Sequence, residues 1–142
     1  MKENIVCSGA LFYATSTKRF LFLQRTDKKT QGMWGLVGGK SKFTESAFEG
    51  LKREIEEETG SLPKFKKVIP LEMFTSNDQK FFFHTYLIAI DTEFLPKLNE
   101  EHSGYCWCAF ECWPKNLHMG LKNTLNNKSI KGKLQTILDL IV

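Results

Sequence analysis

GGKSKFTESAFEGLKREIEEETG, residues 38–60, is the stretch on which the reading of this chain turns. Thr44 and Ser46 are both suitable N-caps, and Gly60 is a natural stop, so a helix is predicted from one of those caps to about Thr59. Pro63 opposes any resumption. Phe48, Leu51 and Ile55 recur three and four apart and form one buried stripe. Glu54, Glu57 and Glu58 share another face, while Glu56 points to solvent. Like charges at this spacing cost about 0.2–0.5 kcal/mol per pair. Their place in the last turns costs about 0.3–1 kcal/mol each against the helix dipole. Local stability therefore argues against the arrangement, and a divalent cation would reverse its sign. Mg²⁺ suits an open carboxylate cluster, because it prefers carboxylate oxygens together with waters and substrate phosphates.

The spacing around the helix is more specific than its charge. Gly39 is followed after five residues by Glu45, and after seven more by Arg53-Glu54-Ile55-Glu56-Glu57-Glu58-Thr59-Gly60. This resembles the Nudix box, Gly-x5-Glu-x7-Arg-Glu-U-x-Glu-Glu-x-Gly-U, where U is bulky and apolar. Seven such identities coincide by chance on the order of once in 10⁸ windows. The box spans 39–61, with Ser61 in the final apolar place and Leu62 after it. Val37 stands where the family often has Pro before the glycine pair. Trp34 and Glu100-Glu101-His102…Trp107 extend the resemblance to nearly the whole chain.

Working outward, Ile5–Tyr13 and Phe20–Arg25 read as strands, the second with the continuous run Phe20-Leu21-Phe22-Leu23 suited to burial on both faces. Trp34–Val37 is a short strand. Phe65–Thr75 and Lys80–Ile90 form a hairpin across Ser76-Asn77-Asp78-Gln79. Asp91–Ser103 is a polar loop, Gly104–Phe110 a further strand, and Ser129–Ile141 an amphipathic helix. The fold class expected is α/β: one domain over 1–142, a Nudix-type α/β/α sandwich with a mixed sheet between a central catalytic helix and a C-terminal helix.

The resemblance implies a metal site on Glu54, Glu57 and Glu58, with a backbone carbonyl from the glycine pair, here Gly38. Arg53 is implied to orient the carboxylates through Glu45 or a neighbouring Glu. The proton-accepting group is Glu54 or Glu57 on the helix, or Glu101 from the loop before the last strand. Arg25 and Lys40 are the cations expected nearest the cleft. Trp34 is placed for stacking a nucleobase, with core packing as the equal alternative. The implied cofactor is Mg²⁺, with Mn²⁺ as a substitute.

The composition narrows the partners. Twenty basic residues against sixteen acidic ones give +4, and Lys is spread along the chain. That suits phosphate-bearing ligands without implying stable nucleic-acid binding. Six of the acids lie between Glu45 and Glu58. No segment is apolar for long enough to span a membrane. A cytoplasmic protein with reduced thiols, acting as monomer or homodimer on a small nucleotide, is expected. Cys106, Cys108, Cys112 and His102 do not follow zinc-knuckle spacing, and buried thiols are the simpler account of the strand cysteines. The expected reaction is hydrolysis of a nucleoside diphosphate linked to another group, such as ADP-ribose, a nucleotide sugar or a dinucleoside polyphosphate. Pyrophosphate removal from a (modified) nucleoside triphosphate is the alternative. Arg25-Thr26…Gln31-Gly32-Met33-Trp34 also resembles enzymes that hydrolyse GDP-mannose, and a non-catalytic binding module would be expected to have lost one of the helix acids.

Overall fold

The computed structural model describes residues 4–141. Seven strands and three helices follow one another as β1 (Ile5–Ala14), β2 (Arg19–Arg25), β3 (Trp34–Gly35), β4 (Val37–Lys40), α1 (Ala47–Thr59), β5 (Lys67–Thr75), β6 (Phe81–Ile90), β7 (His102–Ala109), α2 (Met119–Asn126) and α3 (Lys128–Leu140). The fold is the expected α/β arrangement, a mixed sheet with helices on its faces.

β1 organises the sheet. β6 runs parallel to it along its whole length, from Ile5 opposite Phe81 to Ala14 opposite Ile90. The other edge of β1 is shared. Residues 7–10 pair with β4, and Tyr13 and Ala14 pair with β2. β2 in turn carries β3 on one side and β7 on the other. β5 closes the far edge against β6. The strand expected over Trp34–Val37 is therefore two strands, because the chain leaves β2 at Gly35 and joins β1 at Val37.

The apolar runs are buried on both faces, as Phe-Leu-Phe-Leu requires. Ala10, Phe12, Leu21, Leu23, Ile88 and Ile90 pack with Leu51 and Ile55 of α1. Leu11, Tyr13, Phe20, Phe22 and Leu87 point the other way and pack with Leu121, Leu125 and Leu134 of α2 and α3. The two-residue strand period sorts one sequence into two cores. The helix α2 was not expected. Its Leu121 and Leu125 lie four apart, but its cap is His118, which accepts from the Gly120 N–H and is not among the usual N-cap residues. Cys106 and Cys108 face the second core with Trp107 on the opposite face, and all four cysteines are free thiols.

Two cores separated by a sheet should respond independently. Ile55→Val is expected to cost about 0.5–1.5 kcal/mol and Leu134→Ala about 2–5 kcal/mol. In urea denaturation the double variant should equal the sum to within about 0.5 kcal/mol.

Candidate functional site

The glutamates are positioned first by α1. Ser46 caps it: the hydroxyl accepts from the Glu49 N–H, and the Glu49 carboxylate accepts from the Ser46 N–H. At the other end Gly60 adopts φ 79°, a left-handed conformation natural to glycine, and its N–H bonds the Glu56 carbonyl at 2.9 Å. Ser8 of β1 donates its hydroxyl to the Ala47 carbonyl at 3.0 Å and fixes the first turn to the sheet.

α1 lies against the open edge of β4. The Ser41 N–H bonds Val6 O, so in the antiparallel ladder the Cys7–Lys40 and Gly9–Gly38 pairs do not bond each other. The polar groups of Gly38 and Lys40 therefore point off the edge toward the helix. The Gly38 N–H donates to Glu58 at 3.0 Å, and the Lys40 carbonyl accepts from Arg53 at 3.0 Å. The Gly38 carbonyl faces the same side. A Cβ on Gly38 would lie 2.0 Å from Ser8 O, and one on Gly39 would lie 2.6 Å from the Glu54 carboxyl carbon. At Gly38, where the neighbour is backbone, only glycine permits this approach, and at Gly39 a side chain would displace the Glu54 carboxyl.

Arg53 gathers the acids. Its guanidinium makes a bidentate pair with Glu45 at 2.8 and 3.0 Å and bonds Glu54 at 2.9 Å. Its contacts with Glu57 are longer, 3.3 Å, and the Glu57 side chain is 53% exposed. Arg53 holds Glu45 down to a pKa of about 2, with a backbone bond from Lys42 helping.

Glu54, Glu58 and Glu101 bring carboxylate oxygens within 4.8 Å of one another. Glu101 reaches the helix because Asn99 bridges them. The Asn99 amide donates to the Glu57 carbonyl at 3.1 Å, and its own oxygen accepts the Glu101 N–H at 3.0 Å. The Thr26 N–H ties down the Glu101 carbonyl at 3.1 Å. Asn99 is a positioning residue the sequence did not disclose. It satisfies a carbonyl that every helix C-terminus leaves unpaired. Next to Glu101, the imidazole of His102 is held down to a pKa of about 4 by burial and then by Arg25. Its Nδ1 is buried without a hydrogen-bond partner among the described residues.

Burial and the neighbouring acids push Glu58 up to about 9, against the opposing bond from Gly38, and burial also raises Glu54. Three crowded acids, one of them buried and only Glu54 paired with a cation among the described residues, are an oxygen donor set short of positive charge. That chemistry fits a hard divalent cation, with the Gly38 carbonyl as a further oxygen.

Lys40 lines an 880 Å³ cleft that reaches Arg53 and Glu54. Arg25 and Trp34 are not among its described lining residues. Arg25 bonds Asp27 and Thr30, and Trp34 packs in the second core. Cys106 Sγ and Cys108 Sγ lie 3.6 Å apart, and burial lifts the Cys106 thiol to about 12. Among the described residues no third metal-ligating side chain joins them. No helix is long and apolar enough to cross a membrane among the same residues.

Residues 5–127 match the NUDIX domain family. A 63-residue segment, 43% of this chain, is 41% identical to Nudix hydrolase 6 of Arabidopsis thaliana and spans only 22% of that protein. The MutT NUDIX hydrolase of Burkholderia pseudomallei superposes with a TM-score of 0.72 at 25% identity, over 89% of this chain and 99% of that one. A C. elegans Ap4A hydrolase, solved as a binary complex, shares the fold with a TM-score of 0.71 at 18% identity, over 95% and 99% of the two chains.

The Glu58 shift has a measurable consequence in metal-free protein. The folded carboxyl keeps its proton to about pH 9, while the unfolded one releases it near 4.5. The folded state thus binds more protons between those values. The stability this gives is full below about 4.5 and is lost as pH rises toward 9, by up to about 1.4 kcal/mol per pH unit. Below about 6.5 the depressed His102 works in the opposite direction, so the decline should show in thermal unfolding in EDTA above that pH, up to about 9, and Glu58→Gln should flatten it. Equal slopes in the two proteins would contradict the assignment.

Proposed function

Because the chain belongs to the NUDIX family of hydrolases, which act on pyrophosphate bonds, we propose that it is a Mg²⁺-dependent hydrolase of a nucleoside diphosphate linked to another group, such as ADP-ribose, a nucleotide sugar or a dinucleoside polyphosphate. The observation that carries this reading is the group Glu54, Glu58 and Glu101 beside a nucleotide-sized cleft. An Ap4A hydrolase among the structural neighbours is consistent with the same substrate class.

In this reading Glu54, Glu58, Glu101 and the Gly38 carbonyl hold the ion, and Glu57 joins them by releasing its long contacts to Arg53. Bound there, Mg²⁺ (or Mn²⁺) supplies charge neutralisation at the diphosphate oxygens and acidifies a water. A diphosphate enters with its negative oxygens toward this group and toward Lys40, whose ammonium offsets their charge. Water adds to one phosphorus, the bond from that phosphorus to the bridging oxygen breaks, and the two halves leave, each ending in a terminal phosphate; for a diphosphate substrate both are phosphate monoesters. The water's proton passes to a carboxylate. Glu54 is oriented for that task by its 2.9 Å bond to Arg53. Arg53 acts through the acids it orients and is a positioning residue.

Chromatography of a nucleotide panel incubated with Mg²⁺ tests the reading. AMP should be released from ADP-ribose or a diadenosine polyphosphate, and EDTA should abolish it. Pyrophosphate release confined to nucleoside triphosphates would favour the alternative substrate class. In the same assay Glu58→Gln should lower kcat by at least about 10²-fold, and Arg53→Lys by about 10–100-fold. Full turnover by Glu58→Gln would exclude its metal role.

A further inference from the structure

The loop between β4 and α1 carries a feature the hydrolase reading leaves unused. Phe43 is 84% exposed, the most exposed large hydrophobic residue described. A lone apolar side chain at a surface needs no explanation. This one lines the same cleft as Lys40, Lys42 and Glu54, and Ile5, itself exposed, lines it too.

The loop is not slack. The Glu45 N–H bonds Lys42 O at 3.0 Å, closing a turn over residues 42–45 with Phe43 at its tip. The Glu45 carboxylate accepts the Lys42 N–H at 2.7 Å while held by Arg53. The Ser41 N–H bonds Val6 O at 2.8 Å, and a Cβ on Gly50 would lie 2.4 Å from Ser41 Oγ, so the loop base is packed on β1 and α1. Arg53 therefore fixes the carboxylates and, through Glu45, the turn that presents the ring.

Resting on the hydrolase reading, we propose that Phe43, with Ile5 in the same cleft, is the base-stacking subsite, so that the substrate's base lies on the Phe43 ring. Lys40 and Lys42 line the same cleft as that ring and Glu54, and take the phosphate charge. The cleft's 880 Å³ accommodates a nucleotide. Stacking on an aromatic face is sequence-tolerant, since every base has a π-face. The subsite therefore gives affinity for a base without choosing among bases.

Isothermal titration with Mg²⁺ and five non-hydrolysable probes tests this: the α,β-methylene analogues of ADP, GDP, CDP and UDP, and methylenediphosphonate, which has no base. The nucleotides should bind more tightly than methylenediphosphonate. Phe43→Ala should weaken the nucleotides about tenfold and leave methylenediphosphonate unchanged, while Phe43→Trp keeps nucleotide affinity. An unchanged melting temperature of Phe43→Ala accompanies this result, because the ring is exposed. If Phe43→Ala binds the nucleotides as well as the parent does, or weakens all five probes equally, the subsite is wrong. Mg²⁺-dependent methylenediphosphonate binding then leaves the hydrolase reading standing. If none of the five binds in the presence of Mg²⁺, both the subsite and the hydrolase reading fall.

Discussion

At Gly39 the edge strand β4 runs against the Glu54 carboxyl of α1, and a methyl group there would overlap that carboxyl unless the side chain moved. This approach sets the geometry of everything around it. It lets the outward polar groups of β4 reach α1, so that Gly38 bonds Glu58 and Lys40 bonds Arg53. Arg53 then spans Lys40, Glu45, Glu54 and Glu57, tying a strand, a loop and two helical turns to one planar cation. A lysine could not make the same set, because it lacks the rigid fork that meets a carboxylate with two parallel bonds.

The same contact sets the electrostatics. α1 ends in four consecutive polar residues, three of them acidic, where the helix dipole disfavours anions. Glu58 is also buried, beside Glu54 and opposite Glu101. The Gly38 N–H opposes this at Glu58, and Arg53 opposes it at Glu54. Burial first, and then the neighbouring acids, push the Glu58 carboxyl up. Asn99 adds the third acid by bonding a C-terminal carbonyl of α1, so a helix-ending device also assembles the site.

Much of this was legible in the sequence, for identifiable reasons. The Phe20–Leu23 run announced a strand buried on both faces, and Phe48, Leu51 and Ile55 announced the face on which α1 packs. Ser46 and Gly60 marked that helix's ends. The box spacing located the acids and anticipated the Arg53–Glu45 pair. What escaped depended on contacts distant in sequence. The break between β3 and β4 follows from a change of partner strand at Leu36, which no local propensity encodes. α2 escaped because it is short and capped by a histidine. Glu101 was one of three candidate proton acceptors in the sequence, and its place beside α1 depends on the Asn99 bridge, which only the fold makes. Phe43 escaped because only the folded turn, held by Glu45, shows that its ring lines the cleft.

Glu54, Glu58 and Glu101 bring their carboxylates within 4.8 Å of one another, and the proposed hydrolysis needs them to act together on a divalent cation. Electron paramagnetic resonance of a Mn²⁺ titration reports free ion directly and tests it without turnover. Glu101→Gln should weaken Mn²⁺ binding about tenfold or more, and Glu56→Gln, the same charge change on the exposed side of α1, should leave it nearly unchanged. Equal weakening by the two variants would reduce the cluster to general surface charge and contradict the account.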